Sequence, residues 1–108
     1  MKTILHSCLT VLCLSASTAT LAQTNDGAGA LYTKSLAATC ANCHGTDGKA
    51  VEGSAVVSLA GLPKDYTIAQ MNAFKTGTRP ATVMHQISKG YSDAQIAQIA
   101  AYFAAQKK

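Results

Sequence analysis

The sequence predicts a small all-α protein with a single domain. Of its 108 residues, 48% are hydrophobic and 13% are charged, which is typical of a compact domain and not of a disordered chain. The patterned segments repeat apolar residues at three- and four-residue spacing, and none alternates as a β-strand would. Near the C-terminus, Ser92 and Gln95 have the spacing of a capping box, which marks the start of a helix.

Residues 1–22 have the three-part layout of a secretory signal peptide. A basic start precedes the apolar residues 4–14, and Thr20 and Ala22 are the small residues expected before a cut after Ala22. The apolar part is shorter than the about 20 residues that span a membrane. We therefore predict export to the periplasm, with a mature domain over residues 23–108 and no membrane insertion after cleavage.

Cleavage would leave 86 residues with eight basic and five acidic side chains, a net charge of +3. The basic residues are scattered, so we expect no nucleic-acid partner. Only Cys40 and Cys43 would remain of the four cysteines, and in an oxidising compartment they must be disulfide-bonded, metal-bound or covalently used. Chains of this size often need a staple such as a metal or cofactor, and the scarcity of aromatic residues predicts one here.

The helical segments of the mature chain can be assigned in order. They are predicted over residues 28–39, 65–75, 83–89 and from Ser92 onward. Asp26 is a suitable residue for starting the first helix. Residues 45–58 contain three glycines and few large apolar side chains, which predicts a loop, and Gly77 and Pro80 end the second helix.

The last helix has the clearest pattern. After the capping box, one apolar stripe is formed by Ile96, Ile99, Ala100 and Phe103. We predict that this stripe lies in the core.

Residues 40–44, Cys-Ala-Asn-Cys-His, indicate the chemistry. Two thiols at this spacing can each add to one vinyl group of a haem, so that Cys40 and Cys43 form two thioether links. His44 is then held below the iron as the proximal axial ligand. The sequence therefore predicts one covalently bound haem c.

Three other interpretations explain the same residues less well. A structural zinc site needs four ligands, and Cys40, Cys43, His44 and His85 are the only candidates, without a second pair at zinc spacing. A thioredoxin-like redox pair is expected beside a βαβ pattern, which the sequence lacks. A plain disulfide leaves the adjacent histidine unexplained.

A second axial ligand must come from another segment, and the candidates are Met71, Met84 and His85. Met71 lies among apolar neighbours within a predicted helix, which favours a place in the core. Met84 follows the helix-breaking residues 77–81, which could drape the chain across the open haem face. A thioether ligand favours reduced iron and leaves no position for O₂. We predict Met84 as the distal ligand, with the adjacent His85 as its rival.

Four short segments carry a family resemblance: residues 40–45 (CANCHG), 59–61 (LAG), 74–79 (FKTGTR) and 100–104 (AAYFA). In these segments the chain resembles the class I cytochromes c of bacteria. Within that class, residues 36–40 (LAATC) and 82–92 (TVMHQISKGYS) look like the cytochrome subunit of flavocytochrome c sulfide dehydrogenase, in which the methionine matching Met84 is an axial ligand. That subunit commonly has two haem domains, whereas this sequence has one CxxCH motif.

The resemblance implies three to five helices wrapped around one haem, with the first and last helices crossing. It assigns Gly29 to a close approach of Tyr102 or Phe103, although Gly29 could equally be a loop glycine. Arg79 either pairs with a haem propionate or is a solvated loop charge.

The predicted function is one-electron transfer. A haem with two axial ligands has no open position for a substrate, and no residue of the sequence stands out as a catalytic base or nucleophile. We predict the haem subunit of a sulfide-oxidising enzyme, with an FAD-containing flavoprotein partner and a downstream electron acceptor. The alternatives are a free electron shuttle of the c4/c5-like type and a haem-based sensor with a vacant sixth site.

Overall fold

The computed structural model describes residues 26–108, and the predicted signal peptide lies outside this part of the chain. The helices are α1 (Asp26–Ala38), α2 (Ala41–His44), α3 (Lys64–Thr76), α4 (Met84–Ile87) and α5 (Asp93–Ala104), with 3₁₀ turns at Thr46–Gly48 and Ser88–Gly90. Residues 26–108 contain no β-strand, so the all-α prediction is confirmed. None of the described helices is both long and apolar enough to cross a membrane.

The predicted helices are present with small shifts at their ends. α1 includes Asp26 in its first turn, where a negatively charged carboxylate interacts favourably with the helix dipole. α3 extends one residue beyond each predicted end, and it stops at Gly77, which adopts the left-handed conformation (φ 78°, ψ 6°) and donates its N–H to the Phe74 carbonyl. The predicted short helix is divided into α4 and the second 3₁₀ turn.

α5 begins with the predicted capping box. The Ser92 hydroxyl accepts a hydrogen bond from the Gln95 N–H (3.2 Å), and the Gln95 side chain accepts one from the Ser92 N–H (2.9 Å). The apolar stripe is buried as predicted, since Ile96 and Phe103 are each 1% exposed. The helix packs against both α1 and α3, which places it at the centre of the described fold.

We expect Ser92→Ala to lower the free energy of unfolding by about 1 kcal/mol, because it removes the side chain that satisfies the Gln95 N–H. Chemical denaturation of the purified protein measures this loss. Ser35→Ala is the control: Ser35 lies inside α1 and bonds only the Tyr32 carbonyl, so alanine should be neutral or stabilising there. Equal losses in both variants would contradict the capping role.

A close contact between α5 and the first 3₁₀ turn replaces the one that the resemblance implied. Gly48 has a φ of 77°, and a Cβ there would lie 2.7 Å from Phe103 Cδ1. Gly29 instead lies within α1, and nothing would come within 4 Å of a Cβ at that position. Both expectations for Gly29 were wrong: it lies in a helix and not in a loop, and the aromatic ring of α5 packs on the turn that follows α2.

Candidate cofactor site

Residues 40–44 fold as one helical turn directly after α1. The Cys40 N–H donates to the Ala37 carbonyl (3.1 Å), and the His44 N–H donates to the Cys40 carbonyl (2.9 Å). This turn brings two free thiols and one imidazole together, with Cys40 half-buried and Cys43 exposed. Burial raises the pKa of the Cys40 thiol; a hydrogen bond with Thr39 opposes this rise, and the neighbouring Cys43 adds to it.

His44 is oriented by a backbone carbonyl. Its Nδ1 lies 2.7 Å from the Val57 oxygen. Because a carbonyl oxygen only accepts hydrogen bonds, Nδ1 is the donor, and in the neutral imidazole this leaves the lone pair on Nε2. Metal-binding histidines commonly have their second nitrogen fixed in this way. This partner could not be predicted from the sequence, since a backbone oxygen has no side-chain signature.

Gly45 ends the turn in a conformation that glycine alone tolerates, with φ 81° and ψ 162°. A Cβ there would lie 1.9 Å from the Lys49 oxygen. The chain can therefore bend sharply after His44 and return to Val57. A glycine directly after the histidine is the one sequence signal that pointed to this bend.

The turn is also tied to α5. The Tyr102 hydroxyl donates to Asp47 Oδ1 (2.5 Å), and this bond raises the pKa of Tyr102. Asp47 itself has a φ of 54°. This contact and that between Gly48 and Phe103 fix the segment after His44 on the core.

The candidates for a distal ligand lie on other elements. Met71 is buried in α3 (8% exposed), in agreement with a core role. Met84 is partly buried and is the first residue of α4, which packs against α3. His85 Nδ1 is buried, and among residues 26–108 it has no hydrogen-bond partner.

Arg79 is held on α3. Its guanidinium lies 4.6 Å from the centroid of the Phe74 ring and donates to the Gln70 side chain. Arg79 is exposed, as expected for a solvated charge. Its remaining N–H groups are still able to donate to a nearby carboxylate.

The residues present fit a haem. Besides the two free thiols and the free Nε2 of His44, large apolar side chains next to the candidate ligands are exposed: Val57 by 60% and Val83 by 53%. The buried apolar core of the described chain is small, comprising Ala37, Ala60, Met71, Ile96, Ile99, Ala100 and Phe103. A flat apolar group attached to the cysteine turn would supply what this core lacks.

Comparison with known proteins gives consistent matches. The family model for cytochrome c matches residues 30–107. The cytochrome subunit of sulfide dehydrogenase from Chlorobaculum tepidum is 41% identical over 68 residues, covering 63% of this chain and 60% of that protein. Cytochrome c4 from Pseudomonas aeruginosa is 41% identical over 71 residues, covering 66% and 35%. Cytochrome c-554(548) from Halomonas halodenitrificans is 38% identical over 74 residues, covering 64% and 86%. The matched part of the chain thus spans less than two thirds of the first two relatives.

Proposed function

Because the chain belongs to the cytochrome c family and carries one covalently bound haem c, we propose that it is the electron-accepting subunit of a sulfide-oxidising flavoprotein complex in the periplasm. As a monohaem cytochrome, it is an electron carrier. The observation that carries the proposal for the site is the single turn that holds both thiols beside an imidazole with a free Nε2. The haem supplies exchange of one electron between ferrous and ferric iron.

Each residue of the turn has a proposed role. The Cys40 and Cys43 thiols hold the haem through thioether links, which fix its position relative to the helices. His44 would bind the iron through Nε2, and the Val57 carbonyl holds the imidazole in place and would increase its basicity. The exposed apolar side chains of Val57 and Val83 would help to keep water away from the haem.

Met84 is the proposed distal ligand. A ligating imidazole usually donates its second N–H to a protein oxygen, as His44 does. His85 lacks such a partner among residues 26–108, since its buried Nδ1 is unsatisfied. The difference supports the thioether of Met84 over the adjacent imidazole.

We expect Met84→Ala to abolish the weak red absorption band of methionine-ligated ferric haem, while the covalent haem remains attached. The visible spectrum of the oxidised protein measures this loss. His85→Ala is the control and should keep the band, because it leaves the thioether in place. A band that persists in Met84→Ala, or disappears in His85→Ala, would refute the assignment.

Two observations support the enzyme assignment. One relative is the cytochrome subunit of a sulfide dehydrogenase. Residues 82–92, which include Met84, also resemble the corresponding segment of the cytochrome subunit of flavocytochrome c sulfide dehydrogenase. Residues 27–30, Gly-Ala-Gly-Ala, lack the third glycine of a dinucleotide fingerprint and lie within α1. A flavin would therefore be held by a partner chain. The predicted signal peptide supports the periplasmic location.

A free electron shuttle is the second candidate. The matched residues span 86% of the Halomonas halodenitrificans cytochrome c-554(548), so most of that cytochrome corresponds to a single domain of this kind. A shuttle that docks through charge should lose rate as salt is added.

Gentle purification from the native periplasm distinguishes the two candidates. Haem absorption with a co-eluting, stoichiometric flavin, and reduction of the haem on addition of sulfide, is the result that the enzyme proposal predicts. Haem at the mass of a single chain, without flavin and without response to sulfide, would refute it and favour the shuttle.

A further inference from the structure

Met84 lies in a loop whose two ends, at Lys75 and Tyr91, are joined by hydrogen bonds. We call this junction the neck of the loop. The chain leaves α3 just after Lys75 and returns at Tyr91, after α4 and the second 3₁₀ turn. Lys75 Nζ donates to the Tyr91 carbonyl (2.8 Å) and to Asp93 Oδ1 (2.9 Å). Residues 76–90 are therefore held as a loop whose two ends are bonded to each other.

The side chain of Tyr91 reaches from this neck to the cysteine turn. Its hydroxyl lies 2.5 Å from Thr39 Oγ1, which donates its own hydrogen to the Leu36 carbonyl (2.7 Å). Because threonine has one hydroxyl hydrogen, Tyr91 must be the donor to Thr39. Thr39 Oγ1 is also 3.9 Å from Cys40 Sγ. Tyr91 thus bonds the neck of the loop to the residue directly before the turn that carries the thiols.

We propose that Tyr91 is a positioning residue that holds the Met84 loop against the cysteine turn and so strengthens distal ligation. The inference rests on the proposed role of Met84. Without the Tyr91 hydroxyl, the loop loses its bond to Thr39 and opens more readily, so an external ligand competes better with the thioether. The net value of one protein hydrogen bond corresponds to about a five-fold change in an equilibrium constant.

The test is titration of the ferric holoprotein with imidazole, followed by the shift of the main haem absorption band. Tyr91→Phe removes only the donor, and we expect the apparent affinity for imidazole to rise about five-fold. Thr39→Val removes the acceptor and should act in the same direction. Tyr32→Phe is the matched control, because it deletes a hydrogen bond between α1 and α5, from Gln95 to Tyr32 (2.8 Å), away from the loop. Equal effects in Tyr91→Phe and Tyr32→Phe, or none in Tyr91→Phe, would overturn the proposal.

A double variant separates this inference from the ligand assignment. In a Met84→Ala background there is no internal thioether to displace, so adding Tyr91→Phe should leave the affinity for imidazole unchanged. An increase that persists in this background would mean that Tyr91 acts by another route, and the inference would be wrong. Met84 ligation itself is judged separately, by the red band of Met84→Ala alone.

Discussion

Replacing both Cys40 and Cys43 with alanine is expected to leave a largely unfolded chain. Only seven hydrophobic residues are buried in the described part of the structure, and three of these are alanines. A core of this size supplies about 3–5 kcal/mol, which the loss of a large apolar group can remove. Far-UV circular dichroism of the purified variant measures the helicity, and we expect most of the signal at 222 nm to be lost.

Cys43→Ala alone is the appropriate control for the double variant. One thioether link from Cys40 and the proposed ligand His44 would still hold the haem, so this variant should remain helical with a reduced melting temperature. Native-like helicity in the double variant would contradict the role of the haem as a structural staple. Unfolding of Cys43→Ala to the same extent would mean that the position itself, and not haem retention, determines stability.

The sequence predicts best those features that depend on neighbouring residues. The capping box of Ser92 and Gln95 was predictable because both partners lie on one helical turn. The haem was predictable because Cys40, Cys43 and His44 are adjacent in the chain, and the family match agrees. The placement of individual side chains on the haem stays a prediction.

Features that depend on distant segments could not be predicted in the same way. The contact of Phe103 with Gly48 joins two segments that are far apart in sequence, and the resemblance assigned it to Gly29. The bond from His44 to the Val57 carbonyl uses a backbone atom that every residue possesses. Such partners are fixed by how the chain packs, and residue type alone does not identify them.

Gly45→Ala is expected to cost at least about 3 kcal/mol of stability, because strain and a steric clash act together. The φ of 81° and ψ of 162° lie in a region that only glycine occupies readily, and the new Cβ would meet the Lys49 oxygen at 1.9 Å. Since that oxygen belongs to the backbone, the loop itself must move. Denaturant unfolding of the holoprotein measures the cost.

Gly77→Ala separates the strain from the clash. Gly77 also has a positive φ (78°), but nothing would lie within 4 Å of a Cβ there, so only the left-handed backbone penalty of about 1 kcal/mol is expected. The movement forced at Gly45 should also displace the Val57 carbonyl from His44, which weakens the orientation of the proximal ring. We therefore expect Gly45→Ala to lower stability and shift the haem reduction potential, and Gly77→Ala to lower stability only modestly. Similar stability losses in the two variants would show that the Lys49 carbonyl can move aside at little cost. The steric clash would then not be the reason that glycine is needed at the bend after His44.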